Sequence, residues 1–424
     1  MGRLELGLLR SCVEINLGAI AHNLREIRNK LGRGVRVLAV VKSDAYGHGA
    51  KKVGLLLERR GVDMLGVASV EEGADLREKG IRLPILVLGC IFPEEIEKFF
   101  SYSLIPNLCE LDLAKKFSRH ASRLGQTIKV HTKIDTGMGG LGVRVQRASR
   151  FVQEVTGLPG LVVEGLFTHF TSATESNSIY TREQLNLFRG VVEELERMGI
   201  HIPLRHAANS GAILRSPESY TPYLPLSGEG LPPTADTPLN MVRTGLLLYG
   251  LTPPGCQEFS LNLRPAMTFK TRLAYIKDLE PGETVSYGRS FTASQHTRIG
   301  VLPVGYDSGY SLRLSNKGYV VIRGKRFPVV GRVRMNLIHV DLGQEEAVEI
   351  GDVVTLYGGE GPSVEEIAGI MLGGSPYEVL CTTGKANPKT YVEELEIEEP
   401  TSGVAQPPHS DSQPQLVPLY AVAH

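Results

Sequence analysis

One stretch decides the fold of this chain: Val37-Leu38-Ala39-Val40-Val41-Lys42-Ser43-Asp44-Ala45-Tyr46-Gly47-His48-Gly49. Its first five residues are apolar and three of them are β-branched, which is typical of a strand buried on both faces in a parallel sheet. The run ends at Lys42, and α/β proteins place their chemistry at the carboxyl ends of such strands. Gly47 and Gly49 let the backbone approach a ligand closely before a helix that we predict from Ala50, which suits a phosphate group. The stretch therefore predicts a parallel α/β fold with Lys42 at the mouth of a site.

The composition indicates a large protein that acts on small molecules. The chain has 424 residues, which favours two domains, and its 46 Lys+Arg balance 46 Asp+Glu. This balance gives no electrostatic reason to expect nucleic acid or an anionic membrane as a partner. The five cysteines have no Cys-x-x-Cys spacing, which argues against a disulfide framework or a metal site and fits a reducing compartment. Without a secretory signal pattern or an apolar window of about 18 residues, we expect a cytoplasmic protein.

Strands and amphipathic helices alternate along the first 262 residues. Apolar positions recur every three or four residues from Leu17 to Leu31, which predicts a helix. Eight short apolar segments predict strands at 35–41, 63–67, 84–88, 104–106, 127–133, 161–168, 202–205 and 240–243. This number favours a closed (β/α)8 barrel over an open doubly wound sheet, for which the glycine-rich dinucleotide fingerprint is missing. Polar clusters follow five of these strands, as a barrel with its site at one end requires: Lys42, Asp135–Gly139, His169, His206–Ser210 and Arg243–Gly245.

The remaining chain has a different pattern. From Leu263, short segments separated by turn residues predict a mostly β domain with strands near 268–276, 298–304, 319–322, 327–330, 338–342 and 353–357, and one helix near 364–371. We expect four parts: an N-terminal strand segment at 1–16 that packs with the C-terminal domain, a barrel at 17–262, a β domain at 263–393 and a disordered tail at 394–424. The barrel carries an insertion rich in Gly, Pro and Ser at 224–238.

Several of these motifs resemble those of the alanine racemase family. Val-Val-Lys-Ser-Asp-Ala-Tyr-Gly-His-Gly at 40–49 resembles the family's cofactor-lysine signature, and Val-Ser-Tyr-Gly at 285–288 resembles its second-base motif. The similarity runs from about Cys12 to Tyr391. It implies a homodimeric racemase with a barrel and a β domain, in which pyridoxal 5′-phosphate is bound to Lys42 as a Schiff base. Such a cofactor supplies the electron sink that removal of an α-proton from an amino acid requires.

The resemblance also implies roles for individual residues. Lys42 and Tyr287 would be bases on opposite faces of the substrate, with Tyr287 reaching into the partner subunit's site. Because a tyrosine with a pKa near 10 is a poor base at neutral pH, its surroundings must assist it, and the resemblance places His169 and Arg243 there. The cofactor-binding positions would be Lys42, Tyr46, His169, Asn209, Ser210, Arg243, Gly245, Leu246 and Tyr377, and the substrate would meet Tyr287 and Met335.

Arg243 bears on the choice of reaction. The resemblance places it against the pyridine nitrogen of the cofactor, and a guanidinium with a pKa above about 12 does not protonate that nitrogen. The electron sink is then weaker, which favours racemisation over transamination.

Gly140 departs from the family pattern. Alanine racemases carry an arginine at this position, which contacts the cofactor's phenolic oxygen and the substrate carboxylate. A lysine that matches Lys133, often carbamylated, holds that arginine, so the state of Lys133 stays open. Loss of a hydrogen bond to a charged group costs on the order of 1.5–3 kcal/mol, enough to change substrate choice. Ser308 and Leu312 also replace the aspartate and arginine that relatives usually carry near the substrate entrance.

Several functions therefore stay in view. Interconversion of L- and D-alanine is the default, and Gly140 and Leu312 favour the alternative of a racemase for serine, for a larger amino acid or for a broad range. A decarboxylase of similar build is disfavoured because its cysteine-bearing and glycine-rich signatures are not evident and the Val285–Gly288 motif is present. A protein that binds pyridoxal phosphate without turnover fits the missing arginine but not the retained β domain with Tyr287.

Overall fold

A computed structural model of the chain describes residues 9–220, 239–259 and 261–392. The predicted insertion at 224–238 and the predicted tail at 394–424 lie outside the described residues. No helix in these ranges is long and apolar enough to cross a membrane. Within the same ranges, no group of three or more His, Cys, Asp or Glu side chains is placed to hold a metal ion.

The first part of the chain forms a parallel eight-stranded barrel, and the predicted fold is confirmed. This part of the chain contains ten described strands, β1 Ser11–Asn16, β2 Arg36–Val40, β3 Met64–Val67, β4 Ile85–Val87, β5 Asn107–Leu108, β6 Ile128–Asp135, β7 Val143–Arg144, β8 Leu161–Phe167, β9 Leu204–His206 and β10 Met241–Thr244. Eight of them form the barrel, whereas β1 lies outside it and β7 pairs only with β6. The barrel order is β4-β3-β2-β10-β9-β8-β6-β5, with all neighbours parallel. A bridge between Leu86 and Ile105 joins β4 to the segment before β5 and closes the circle.

Helices surround the barrel strands. They are α1 Leu17–Leu31, α2 Lys42–Tyr46, α3 Ala50–Arg59, α4 Val70–Glu78, α5 Ile96–Ser101, α6 Leu111–Leu124, α7 Val145–Thr156, α8 Ile179–Arg197 and α9 Ser210–Arg215. The first of them shows how the sequence sets such an element. The Asn16 side chain accepts the Ala19 N–H and caps α1, and Gly32, with φ of +74°, ends it. Apolar residues between them, spaced three or four apart, form its buried face.

The second part of the chain is mostly β, as predicted. Its elements are β11 Met267–Arg272, β12 Tyr275–Leu279, β13 Thr284–Val285, β14 Phe291–Thr292, β15 Thr297–Leu302, β16 Tyr319–Ile322, β17 Lys325–Val330, β18 Ile338–Gly343, β19 Val353–Tyr357, α10 Val364–Ile370, α11 Pro376–Ala386 and β20 Lys389–Val392. Nine strands form one sheet in the order β12-β15-β18-β17-β16-β19-β11-β1-β20. β1 pairs antiparallel with β11 and parallel with β20, so the strand that leads into the barrel belongs to this second sheet.

Two sequence expectations need correction here. The strand predicted at 268–276 is two strands, because the chain changes partner: the Leu273 N–H donates to the Asp352 carbonyl, and the Ala274 N–H donates to the Val301 carbonyl. The β domain has a second helix around Tyr377, whereas the sequence pattern predicts only the one near 364–371. Ser375 caps α11 by accepting the Tyr377 N–H, and Pro376 occupies its first position.

Candidate active site

Lys42 follows β2 at the carboxyl end of the barrel and begins a turn with left-handed backbone conformation. We call α2, Lys42–Tyr46, the lysine turn. Residues 43–46 all have φ between +51° and +55°, although none is glycine. A left-handed conformation costs a non-glycine residue roughly 1–2 kcal/mol. Contacts from outside the turn must therefore hold Lys42 in its place.

A buried arginine lies at the end of the eighth barrel strand. Arg243, on β10, is 4% exposed and donates to the carbonyl oxygens of Thr168, His206 and Ala207 at 2.5, 2.9 and 3.0 Å. Its Nη2 also lies 3.2 Å from His169 Nδ1. Burial lowers the pKa of Arg243 to about 9, so the guanidinium still carries its charge at neutral pH.

His169 is a neutral imidazole beside that charge. Burial, followed by the charges of Arg243, Lys133 and Lys42, lowers the pKa of His169 to about 3. Because a guanidinium only donates, Nδ1 of His169 accepts from Arg243, and the proton of the ring lies on Nε2. His169 therefore presents an N–H donor on the side away from Arg243.

Lys133 completes the group of side chains around Lys42. It lies on β6, and burial together with the charges of Arg243 and Lys42 lowers the pKa of its amine. The structure thus brings together Lys42, Lys133, His169 and Arg243 from the ends of four barrel strands. Gly140, in contrast, has open space around it: nothing lies within 4 Å of where a Cβ would be.

A chain of hydrogen bonds that the sequence analysis did not predict extends inward from Arg243. Its Nη1 lies 2.9 Å from His206 Nδ1, and His206 Nε2 lies 3.1 Å from His131 Nδ1. Nε2 of His131 faces Glu164 Oε2 at 3.7 Å. Gly165 makes room, since a Cβ there would lie 2.3 Å from the His131 ring. The available signal was the polar residue at every second position of β6, which places His131 on the same face of that strand as Lys133.

A second group of predicted residues forms a hydroxyl-rich cradle near the lysine turn. The Tyr46 ring lies between the rings of Tyr249 and Tyr377, with centroids 5.1 and 5.4 Å away. The Gly245 N–H donates to Ser210 Oγ at 2.9 Å. A Cβ at Gly245 would lie 3.0 Å from the Tyr46 hydroxyl, so glycine keeps this space open.

The cradle tyrosines keep their protons. Burial raises the pKa of Tyr377 to about 12 and raises that of Tyr46 further. Both hydroxyls are therefore available as donors. Asn209 caps α9 by accepting the Ala212 N–H at 3.1 Å, and Leu246 begins a short 3-10 turn directly after Gly245.

Tyr287 and Met335 lie apart from this cluster, on the C-terminal β domain. They are 64% and 57% exposed. Arg334 lies over the Tyr287 ring, 5.2 Å from its centroid. Within the described ranges, no hydrogen bond or ring contact joins Tyr287 to Lys42 of the same chain. The structure of one chain therefore gathers the barrel residues but not these two.

Comparison with known proteins gives consistent matches. The family model for the alanine racemase N-terminal domain matches residues 15–253, and the model for the alanine racemase C-terminal domain matches residues 266–391. The alanine racemase of Desulforamulus reducens is 41% identical over 381 residues, which are 89% of this chain and 98% of that protein. The alanine racemase of Halothermothrix orenii is 38% identical over 380 residues, 89% of this chain and 96% of that protein.

Solved structures agree. Alanine racemase from Clostridium difficile superposes with a TM-score of 0.82 at 35% identity, covering 91% of this chain and 96% of that one. The alanine racemase from a D-cycloserine-producing Streptomyces lavendulae gives a TM-score of 0.82 at 30% identity, covering 91% and 98%. The chain therefore resembles these proteins over both of its sheets and nearly their full length.

Proposed function

Because the chain belongs to the alanine racemase family, and an amino-acid racemase is an isomerase, we propose that it interconverts L- and D-alanine with pyridoxal 5′-phosphate attached to Lys42. The observation that carries this proposal is the cluster at the barrel mouth, where Lys42 lies near a neutral His169 and a buried, charged Arg243. An amine at a strand end beside a fixed cation suits a cofactor that is held covalently and by charge.

The residues present fit this cofactor. When bound, it supplies an electron sink for the negative charge that develops at the substrate α-carbon. Tyr46, Tyr377 and Ser210 offer hydroxyls, and Gly245 and Leu246 offer backbone amides that no side chain at Gly245 would cover. The Gly245 N–H donates to Ser210 Oγ in the structure and would turn to a phosphate placed there. Protonated hydroxyls and amides suit a phosphate dianion without a lysine. We assign Asn209 to the same cradle and His169 and Arg243 to the ring.

We assign proton transfer to two groups. Lys42 Nζ and the phenol oxygen of Tyr287 would exchange a proton with the α-carbon from opposite faces, which is what inversion requires. His169, with its N–H directed away from Arg243, would donate to the phenolate oxygen of Tyr287 and stabilise it, so that more of Tyr287 is in the basic form near neutral pH. Arg243 would keep His169 in this tautomer and stay charged at neutral pH.

We propose that the enzyme is a homodimer in which each Tyr287 serves the partner's Lys42. Tyr287 is 64% exposed and lies between Ser286 and Gly288, which both have φ of +69°. Met335, 57% exposed on the same domain, would offer its backbone N–H to the substrate carboxylate. Two exposed residues of this kind on the β domain support a role in another subunit's site.

We propose the domain limits given by the sequence pattern, 17–262 and 263–393. The segment 1–16 is assigned with the second domain because β1 pairs with β11 and β20. We place the enzyme in the cytoplasm, since all five cysteines are free in the structure, as a reducing compartment requires.

A broader substrate range is a second candidate, and Gly140 favours it. With open space at that position, a side chain larger than the alanine methyl group would not meet an arginine. We expect Gly140→Arg to lower the KM for alanine by at least about tenfold, since a hydrogen bond to a charged group contributes about 1.5–3 kcal/mol. Gly190→Arg, which adds the same side chain at an equally open and exposed position on α8, is the control. Unchanged KM values in Gly140→Arg would mean that another group already holds the carboxylate.

Exchange of the α-proton for deuterium tests the whole proposal. The enzyme is incubated in heavy water with a panel of L-amino acids, exchange is followed by NMR, and chirality is measured at the end. We expect L-alanine to exchange fastest and to end racemic, and Lys42→Ala and Tyr287→Phe to abolish both. If another amino acid exchanges its α-proton while alanine does not, the reaction class stands and alanine is not the substrate. If the protein binds the cofactor but no amino acid exchanges its α-proton, it is a cofactor-binding protein without turnover.

A further inference from the structure

The lysine turn holds a conformation that its own sequence does not favour. Residues 43–46 are Ser, Asp, Ala and Tyr, and all four are left-handed. L-residues other than glycine disfavour this region because their Cβ approaches the following carbonyl oxygen. Left to itself, the turn would relax into the right-handed or extended region, and the direction of the Lys42 side chain would change with it.

The barrel holds the turn from one side. Glu72, on α4, accepts the Ser43 N–H at 2.6 Å and the Ala68 N–H at 2.8 Å with its two carboxylate oxygens. Tyr249 packs edge-on against Tyr46. These contacts link the turn to the next barrel unit, β3–α4, and to the residues after β10.

The last described elements of the chain hold the turn from the other side. Lys389, the first residue of β20, lies with its Nζ 3.0 Å from Asp44 Oδ2. The other oxygen of Asp44 accepts the Ala50 N–H at 2.7 Å, so the same carboxylate also begins α3. The side chain of Lys389 is only 17% exposed, which shields this ion pair in part from water.

Two glycines bring α11 against the chain that leaves the turn. A Cβ at Gly384 would lie 2.2 Å from the Gly47 carbonyl oxygen, and a Cβ at Gly47 would lie 2.4 Å from the Leu380 carbonyl oxygen. A glycine inside a helix weakens the helix, so Gly384 has a packing reason to be there. The backbones of α11 and of residue 47 are therefore in direct contact.

We propose that residues 376–392 hold the lysine turn in its left-handed form and thereby set the direction of the Lys42 amine. Lys389, acting through Asp44, is a positioning residue for attachment of the cofactor. The proposal rests on the proposed function in one respect, since it takes Lys42 as the residue that carries the cofactor. It gives the C-terminal elements a role in the site of their own chain, separate from any role of the β domain in a partner's site.

Covalent attachment of the cofactor tests this without measuring turnover. Full-length protein is freed of cofactor with hydroxylamine and then given pyridoxal 5′-phosphate. At intervals it is reduced with borohydride, and the modified peptide containing Lys42 is quantified by mass spectrometry. The variants are Lys389→Gln, Asp44→Asn, which keeps an acceptor for the Ala50 N–H, and the double variant. Lys325→Gln is the control for loss of an ion pair elsewhere, because Lys325, the first residue of β17, forms an ion pair with Glu345 in the β domain.

We expect each single variant to attach the cofactor about two- to fivefold more slowly, because fivefold is the upper end for one partly exposed ion pair. The double variant should be no slower than the slower single variant, because both remove the same pair. Lys389→Arg should restore the wild-type rate, and Lys325→Gln should keep it. In steady state, we expect kcat to fall in Lys389→Gln while the KM for alanine changes little.

Three results would contradict the proposal in distinguishable ways. Wild-type attachment rates in both single variants would show that the turn does not need the pair. If Lys389→Arg attaches the cofactor as slowly as Lys389→Gln, or if Lys325→Gln is also slow, the effect comes from general destabilisation. Thermal unfolding of each variant is therefore measured alongside. Failure of the wild-type chain to attach the cofactor at Lys42 would overturn the proposed function, and this role of the turn with it.

Discussion

At the scale of single residues, Arg243 has the most unusual environment. It is buried, it hydrogen-bonds to three backbone carbonyls and the imidazoles of His169 and His206, and it lies over the Phe167 ring. None of these is an anion, so burial lowers the pKa of Arg243 to about 9 while leaving it charged at neutral pH. A cation held in this way can interact with a ring nitrogen without giving it a proton.

We expect Arg243→Glu to raise transamination relative to racemisation. A carboxyl group can protonate the pyridine nitrogen and strengthen the electron sink, which favours reprotonation on the cofactor. The measurement is pyruvate formed per D-alanine formed, with L-alanine as substrate. Arg243→Gln, in which the new side chain has the shape of glutamate but no acidic proton, should not raise this ratio. A ratio that stays at the wild-type value in Arg243→Glu would contradict the assigned role of Arg243.

Buried histidines predict acid sensitivity. Burial lowers the pKa of His169 to about 3 and that of His48 to about 4, whereas an unfolded histidine takes up its proton near pH 6.5. The contribution of these neutral histidines to the free energy of unfolding is thus fully present above pH 6.5 and is lost as the pH falls toward 4. Each group contributes a slope of about 1.4 kcal/mol per pH unit in that window.

Urea unfolding between pH 4.5 and about 6.5 measures this slope, in the window set by the unfolded histidine pKa. We expect His169→Gln to lower the slope by about 1.4 kcal/mol per pH unit, because the variant no longer buries a neutral imidazole. Equal slopes in wild type and His169→Gln would mean that His169 titrates alike in both states.

At the scale of secondary-structure elements, the contact between β6 and β8 fixes the inner chain of imidazoles. Phe167 stacks on His206 with ring centroids 4.9 Å apart, and Gly165 leaves the space that the His131 ring fills. Two neighbouring strands thereby determine the ring positions behind Arg243. A small change of volume here should be felt because protein interiors are closely packed.

We expect Gly165→Ala to destabilise the protein by about 1–3 kcal/mol, the range for overpacking a core. The added Cβ would lie 2.3 Å from the His131 ring. The measurement is the free energy of unfolding in urea. Gly190→Ala on α8 is the control, since nothing lies within 4 Å of its Cβ position, and it should raise stability by about 0.4–1 kcal/mol. A neutral Gly165→Ala would show that His131 can move without cost.

At the scale of the whole molecule, the proposed site needs two copies of the chain. The barrel gathers Lys42, His169 and Arg243, while Tyr287 lies exposed on the β domain. A dimer with closed two-fold symmetry would form two such sites, each with Lys42 of one chain and Tyr287 of the other.

A hybrid dimer tests this arrangement. Lys42→Ala and Tyr287→Phe chains carry different tags, are expressed together, and the dimer with both tags is purified. Each homodimer should be inactive, whereas the hybrid has one intact site of two and should show about half of the wild-type activity per dimer. A hybrid as inactive as the homodimers would mean that Tyr287 acts on Lys42 of its own chain.

Local patterns were sufficient for much of the fold. The apolar run that ends at Lys42, the helix pattern from Leu17 to Leu31 and the alternation in the second half predicted the barrel and the β domain, and the fold and the family are confirmed. The candidate site residues stay predictions, although the structure places most of the barrel ones together. Burial of one face makes apolar residues recur every two positions in a strand and about every 3.6 positions in a helix. This period can be recognised within a short segment of sequence.

The sequence by itself determined the elements of the barrel, the strand end that carries Lys42 and the motifs of the family. Only the tertiary structure decided the left-handed lysine turn, the break between β11 and β12 and the partners of Arg243. Each of these depends on residues far apart in the chain, such as Lys389 with Asp44 or Leu273 with Asp352. Local preference opposes the turn, so the contacts that overcome it have to come from elsewhere in the fold.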